Sequence, residues 1–164
     1  MTEWIRRRRS IRKYTGQPLS EGQIRELLEA AMAAPSASNR QPWEFVIVQD
    51  RRGRERLAAT HPWSRMCAKA GAVFVVCGYP ERSRHWVEDC SAATENLLLA
   101  ATSLGLGAVW VAVYPDEQAE RFVRGELGIP SEVRVLCLVP VGYPAEEKPP
   151  HTKYDPARVH YERW

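Results

Sequence analysis

The sequence predicts a fold of mixed helices and strands, which alternate along one domain. Several short runs are almost wholly apolar, as buried strands are. Longer segments repeat apolar residues about every three or four positions, as amphipathic helices do. With 164 residues, of which 45% are hydrophobic and 26% charged, the chain suits a single globular domain over residues 1–164.

Four strands are predicted, and each is bounded by glycine, proline or polar turn residues. They cover residues 43–48, 72–77, 108–114 and 132–141. The runs at 72–77 and 108–114 are apolar throughout, which indicates buried strands.

Helix signals lie between these strands. Ser20 and Gln23 form a capping-box pattern that predicts a helix start, and Pro35 predicts the end of that helix at Ala34. Further helices are expected at residues 2–7, 54–59, 63–69 and 115–128.

The longest predicted helix covers residues 85–104 and is apolar nearly all round. A continuous seam runs through Trp86, Cys90, Ala93, Leu97, Ala100 and Leu104. Such a helix is buried on most sides. Two arrangements satisfy this: packing within the monomer, or packing against a second copy, which the small alanine side chains would allow to approach closely.

A polar loop of small residues, at 36–39, connects the second helix to the first strand. Its hydroxyl and amide groups favour turns. A small-residue loop between two buried elements is suited to hold a flat ligand, because loops carry binding sites disproportionately. The alternative is an ordinary connection between a helix and a strand.

The stretch at residues 8–14 is strongly basic. If it is extended, Arg8, Ser10 and Arg12 share one face, and two guanidinium groups beside a hydroxyl match a phosphate monoester. A solvated arm and a tail that binds nucleic acid are the alternatives. The net charge of +3 makes no strong case for nucleic acid.

Several classes of site are not supported by the sequence. There is no Gly-x-Ser-x-Gly elbow, phosphate loop, His-Glu-x-x-His or dinucleotide fingerprint. The histidines are scattered and the four cysteines lie far apart among apolar neighbours, so we expect reduced buried thiols and no metal. Because no signal peptide or membrane-spanning stretch is recognisable, we expect a cytoplasmic protein. Residues 145–164 are expected to form an extended arm on a surface.

Three blocks carry a resemblance to a known family. They are residues 8–14 (Arg-Arg-Ser-Ile-Arg-Lys-Tyr), 35–43 (Pro-Ser-Ala-Ser-Asn-Arg-Gln-Pro-Trp) and 104–110 (Leu-Gly-Leu-Gly-Ala-Val-Trp). In order and spacing they resemble the flavin-dependent nitroreductases, from about Ile5 to the C-terminus. The resemblance implies an α+β fold of three layers, α/β/α, around a small mixed, mostly antiparallel sheet. It also implies an intertwined homodimer with two FMN molecules, each in a cleft between subunits.

The resemblance further implies which residues bind the phosphate and ribityl end of FMN. By position these are Arg8, Arg9 and Ser10, together with Lys153 and His151 in the tail.

Other residues are implied for the flavin ring. Arg12 would lie near N1 and the C2 carbonyl, where reduction places negative charge that a guanidinium stabilises. The strand facing the ring would supply Trp110, Val111, Ala112 and Val113, with the backbone N–H of Ala112 or Val113 near N5. The other subunit would supply Pro35, Ser36, Ala37 and Asn39.

The expected function is that of an FMN-dependent oxidoreductase. NAD(P)H would reduce the flavin, and a small acceptor such as a nitroaromatic or a quinone would then take the electrons. Many family members carry a helical lid after the central helix that is missing here, so we expect a more open pocket. The alternatives are a flavin-binding or flavin-delivering protein without turnover, and a basic nucleic-acid-binding module.

Overall fold

A five-stranded sheet forms the centre of the computed structural model, which describes residues 2–164. The strands are β1 (Trp43–Val48), β2 (Ala72–Gly78), β3 (Gly107–Ala108), β4 (Val111–Ala112) and β5 (Arg134–Gly142). Their order is β1-β2-β5-β3, β4 also pairs with β5, and every pair of strands is antiparallel.

Helices cover both faces of the sheet. The α-helices of the described chain are α1 (Thr2–Arg7), α2 (Glu21–Met32), α3 (Arg51–Leu57), α4 (Trp86–Ser103) and α5 (Glu117–Leu127), and its 3-10 segments are Ala37–Asn39, Pro62–Lys69 and Pro156–Arg158. α2 and α4 pack on one face, whereas α3, α5 and the 3-10 segment Pro62–Lys69 pack on the other. The expected α/β/α layering is therefore confirmed.

β2 is buried along its whole length because its alternating side chains serve two cores. On one face Phe74 packs with Leu97 of α4 in the first core. On the other face Val75 packs with Leu57 of α3 and Val123 of α5 in the second core. The prediction of a strand covered on both faces is confirmed.

The capping signals act as predicted at several helix ends. The Ser20 hydroxyl accepts the N–H of Gln23, and the Gln23 side chain accepts the N–H of Ser20, which completes the capping box. Gly128 ends α5 in the left-handed conformation, with φ of 65°. Gly105, with φ of 71°, follows α4 in the same conformation.

The strand predicted at residues 108–114 is two short strands, so the prediction of a continuous strand is wrong. β3 and β4 pair with β5 in one register, since Ala108 faces Val141 and Val111 faces Leu138. The gap between them therefore lies opposite Pro140, which has no N–H to donate to a neighbouring strand.

Two helix starts also differ from the prediction. α5 begins at Glu117 rather than at Pro115, because the carboxylate of Asp116 accepts two backbone N–H groups of the first turn, at 2.9 and 3.0 Å. α3 begins at Arg51 rather than near residue 54, because the Asp50 carboxylate caps it by accepting the N–H of Gly53 at 2.8 Å.

The basic segment at residues 8–14 is extended and lies along the sheet. Ser10 forms a parallel bridge with Ala108 of β3, and the N–H of Ile11 donates to the Ala108 carbonyl at 3.0 Å. Tyr14 is buried, and its hydroxyl donates to backbone carbonyls of Ile11 at 2.6 Å and Pro140 at 3.0 Å. The segment thus acts as a further, parallel element beside β3, which agrees with the expected mixed sheet.

α4 buries most of its predicted seam within the monomer. Cys90, Ala93 and Leu97 have no exposed surface. Leu99 and Ala100 remain partly exposed and line an apolar groove with Trp4 and other residues of α1 and α2. Burial within the monomer therefore accounts for the seam, and packing against a second copy stays a prediction.

The end of the chain is the most exposed part of the structure. The N–H of His151 donates to the Arg6 carbonyl at 3.2 Å, and beyond it Tyr154, Tyr161 and Trp164 are 74%, 80% and 99% exposed. Within residues 2–164, no helix is long and apolar enough to cross a membrane.

Candidate cofactor-binding site

A cavity of about 640 Å³ lies between β4 and the 3-10 segment Pro62–Lys69. Residues 109–116 form its wall on the sheet side, and the opposite wall is formed by His61, Pro62, Trp63 and Met66. Arg12 enters it from the basic segment. The structure therefore brings together two of the three sequence blocks, the one at 8–14 and the one that ends at Trp110.

Arg12 is held by contacts along its backbone. Its N–H donates to Glu146 Oε1 at 2.6 Å, and the neighbouring carbonyl of Ser10 accepts from Lys148 Nζ at 2.5 Å. The N–H of Arg12, followed by the charge of Lys148, holds the pKa of the Glu146 carboxyl below its usual value. The Arg12 backbone is thus fixed by charged residues at the start of the tail.

β4 presents one free backbone edge to the cavity. The N–H of Val113 donates to the Leu136 carbonyl at 3.0 Å, which makes this a hydrogen-bonded pair of the antiparallel ladder. Such pairs alternate with pairs whose backbone groups point outward, so the N–H and C=O of Ala112 point away from β5. The position of His61 Nε2, 3.0 Å from the Ala112 carbonyl, agrees with this. Of the two N–H groups expected to face a cofactor, Val113 is engaged in the sheet and Ala112 is directed outward.

His61 joins the two walls of the cavity. Its Nδ1 accepts the N–H of Trp63 at 3.1 Å, so the proton of the neutral ring lies on Nε2 and is donated to the Ala112 carbonyl. Ser64, which is fully buried, completes a capping box with His61. Trp63, which is 78% exposed, therefore stands on a well-fixed turn at the mouth of the cavity.

A second group of basic residues lies where the basic segment meets the tail. The Arg9 guanidinium donates to the Pro149 carbonyl, and Arg8 pairs with Glu95 of α4 at 3.6 Å. Burial, followed by the positive charges of Arg9, Lys153 and Arg8, lowers the pKa of His151. Among the described residues, the buried Nδ1 of His151 meets no hydrogen-bond partner. This group combines several positive charges with an unused buried nitrogen, as an anion site does.

The loop from Pro35 to Asn39 does not line this cavity. The N–H of Ala37 donates to Asp89 Oδ1 at 2.8 Å, which places the loop against the start of α4. Ala37 lines a different cavity, together with Ser83 and His85. Within one chain, the sequence block at 35–43 thus lies apart from the blocks at 8–14 and 104–110.

Sequence reasoning missed three residues that organise these regions: His61 and Glu146 beside the cavity, and Asp89 at the loop. The sequence predicts no role for His61, although it lies three residues before Ser64, which is the spacing of a capping box. Glu146 and Asp89 act across 134 and 52 positions of the chain, and no local pattern carries such contacts.

The predicted cysteine state is confirmed. Cys67, Cys77, Cys90 and Cys137 are all buried and free. Across the part of the chain that the structure describes, no group of His, Cys, Asp and Glu is arranged to hold a metal ion.

The chain is similar in sequence to proteins of one known family. A sequence model of the nitroreductase family matches residues 5–60 and 60–143. A protein of Archaeoglobus fulgidus is 44% identical over 164 residues, which cover 96% of this chain and 94% of that protein. The name of that relative joins NADH dehydrogenase and NAD(P)H nitroreductase.

Solved structures that are similar to this chain have names like those of the sequence relatives. A crystal structure from Parabacteroides distasonis, with a name of the same kind, has a TM-score of 0.96 and 44% identity and covers 99% of this chain and 98% of its own. An FMN-dependent nitroreductase of Clostridium difficile has a TM-score of 0.95 and 30% identity, with both chains fully covered. These similarities confirm the α+β fold that the sequence predicted.

Proposed function

Because this chain belongs to the nitroreductase family, we propose that it is an NAD(P)H-dependent oxidoreductase that uses FMN and works as a homodimer. NAD(P)H would bind and deliver its electrons, leave, and be replaced by a small acceptor such as a nitroaromatic or a quinone. The names of the relatives support NAD(P)H as the donor and FMN as the cofactor.

The observation that carries this proposal is the cavity between β4 and the segment at 62–69. Arg12 lines this cavity beside an apolar wall. The Ala112 carbonyl, bound by His61, points away from β5, and the N–H of the same residue points the same way. A volume of about 640 Å³ suits a flat ring system with a second ring above it. These are the parts that a flavin needs from a protein: an apolar face, a donor at the ring edge and a positive charge.

The basic group at the tail fits the phosphate end of FMN. Arg8, Arg9 and Lys153 supply charge-assisted donors, and His151 offers a buried nitrogen that meets no partner within residues 2–164. Ser10 lies between this group and Arg12 in the sequence. We assign the phosphate and ribityl contacts to these residues and the ring contacts to Arg12 and residues 110–113.

FMN would supply the transfer of hydride between the nicotinamide and the acceptor. The protein residues have supporting roles. Arg12 would offset the negative charge that accumulates when the cofactor is reduced, and the N–H of Ala112 would fix one ring edge. No side chain is assigned as a general acid or base.

The loop at residues 35–39 has no place in the cavity of its own chain. We propose that it lines the cofactor of a second copy, with α4 packed against its counterpart in the dimer. The partly exposed Leu99 and Ala100 support this, because they give α4 an apolar face for that contact.

The test is spectroscopic. Purified protein is expected to bind FMN, to show the flavin absorbance bands and to lose them when NADH or NADPH is added without oxygen. Nitroaromatics, quinones and free flavins are then added in turn to find the acceptor that restores the bands. A protein that takes up no FMN would contradict the proposal, and a flavin that neither nucleotide bleaches would favour binding or delivery without turnover.

A further inference from the structure

The loop at residues 36–41 has an unusual backbone. Ser38, Asn39 and Gln41 have φ angles of 51°, 53° and 46°, in the left-handed region that favours glycine. Of the non-glycine residues that the structure describes, one other, Glu162 in the tail, has a positive φ. Non-glycine residues keep this conformation only where their surroundings hold them, and such positions cluster at functional sites.

Asp89 connects the start of this loop to α4, and Arg40 near its end donates from its guanidinium to the Arg82 carbonyl at 3.0 Å. Asp89 is 5% exposed, and its two side-chain oxygens have different partners. Oδ1 accepts the N–H of Ala37 at 2.8 Å, and Oδ2 accepts the hydroxyl of Ser83 at 2.7 Å. The Ser83 oxygen in turn accepts the N–H of His85 at 3.1 Å, which fixes the carboxylate in orientation.

The chain on either side of the loop is fixed as well. Before it, Asn96 of α4 donates from Nδ2 to the Ala30 carbonyl at 3.1 Å. After it, the Pro42 carbonyl accepts the N–H of Tyr79 at 3.0 Å. Asp89 therefore sets the path of the loop between two anchored ends, and both Asp89 and Asn96 belong to α4.

We propose that Asp89 is a positioning residue for the cofactor site. It holds the loop in its left-handed shape, so that the loop is ready to line the FMN of a second copy. This inference rests on the proposed function, because it takes the loop to be part of the partner's site. Since Asp89 lies on α4, the helix assigned to the dimer contact, the same residue links the formation of the dimer to the shape of the site.

The test compares three variants. Asp89→Ala removes both contacts. Asp89→Asn keeps an oxygen for the Ala37 N–H and turns an amide N–H towards the Ser83 oxygen. Asp50→Ala is the matched control, because the Asp50 carboxylate also accepts a backbone N–H, that of Gly53, at 2.8 Å but does so at the start of α3.

Two quantities are measured. One is hydrogen exchange of the Ala37 amide in protein freed of FMN, and the other is the dissociation constant of added FMN. For Asp89→Ala we expect each to rise at least about tenfold, because the buried hydrogen bonds to Ala37 and Ser83 are both lost. Asp89→Asn should stay within about threefold of the wild type, and Asp50→Ala should change neither quantity.

Several outcomes would overturn the inference. One is an unchanged FMN dissociation constant in Asp89→Ala. Another is an Asp89→Asn variant that is as impaired as Asp89→Ala, because the charge of Asp89 would then matter and not the position of its oxygen. If Asp89→Ala does not fold, Ser83→Ala frees the carboxylate to turn and should raise both quantities about threefold; no change there would overturn the inference too. Wild-type protein that binds no FMN would instead refute the proposed function, whereas the amide exchange would still report on the role of Asp89 in the loop.

Discussion

Gly107 and Ile11 lie so close together that a Cβ on Gly107 would come within 2.6 Å of Ile11 Cγ2. Gly107, in the sequence block at 104–110, thus leaves no room for a side chain. It allows the basic segment to lie directly against β3, with the bridge from Ser10 to Ala108 beside it. In this way Arg12 reaches the cavity at β4.

Replacing Gly107 with alanine should push the basic segment away from β3. We expect Gly107→Ala to lower the free energy of unfolding by about 1–3 kcal/mol, as overpacking does, and to weaken FMN binding. Chemical denaturation and FMN titration measure the two effects. Gly125→Ala is the control, since a Cβ there meets nothing within 4 Å, and alanine in a helix should stabilise by about 0.5–1 kcal/mol. If both variants behave alike, close approach at Gly107 has no role.

Arg8 is assigned to the FMN phosphate. Arg8→Ala should weaken FMN binding by about 1.5–3 kcal/mol, the range for a charge-assisted hydrogen bond. It should change folding stability little, because its ion pair with Glu95 is long and partly exposed. Arg7→Ala removes a similar pair with Glu3 and should leave FMN binding unchanged. Equal FMN affinity in wild type and Arg8→Ala would remove Arg8 from the site.

The affinity for FMN should depend on pH through His151. Burial and the nearby positive charges lower the pKa of His151 in the free protein, so the ring is mostly neutral near pH 7. A bound phosphate would favour the protonated ring and raise this pKa, so binding takes up a proton. We therefore expect affinity to rise as the pH falls from about 8 to about 6.5, and His151→Gln to reduce that dependence. Affinity that falls over the same range would contradict the assignment.

The buried cysteines should be unreactive in the folded protein. Burial raises the pKa of Cys67, Cys77 and Cys90 to about 12, and burial raises that of Cys137 as well. At pH 8 roughly one such thiol in ten thousand is ionised. Mass spectrometry after iodoacetamide treatment should show unmodified native protein, and four modified cysteines after unfolding. Rapid labelling of the native protein would refute this.

The local features of the fold could be predicted from the sequence. β1, β2, the Ser20 capping box and the end of α5 at Gly128 depend on neighbouring residues, and their patterns are strong. The break between β3 and β4 could not be predicted, because it arises opposite Pro140 on another strand.

The candidate site also has parts that could be predicted from the sequence and parts that could not. The basic segment and the strand wall were predicted, and the structure brings Arg12 to residues 109–113. The supports at Glu146, His61 and Asp89 could not be found, because each acts on a residue distant in the sequence. That the loop at 35–39 belongs to the site of a second copy stays a prediction.

A site shared between two subunits is the central claim, and paired variants test it most directly. One copy carries Arg8→Ala and the other Asn39→Ala; the two are expressed together with different affinity tags and purified through both. If each site takes its basic segment from one copy and its loop from the other, the mixed dimer has one intact site and one doubly altered site. We then expect one FMN per dimer bound with wild-type affinity, although neither variant alone binds FMN tightly. If each chain holds its own cofactor, the mixed dimer has no intact site, and the absence of tightly bound FMN would contradict the claim.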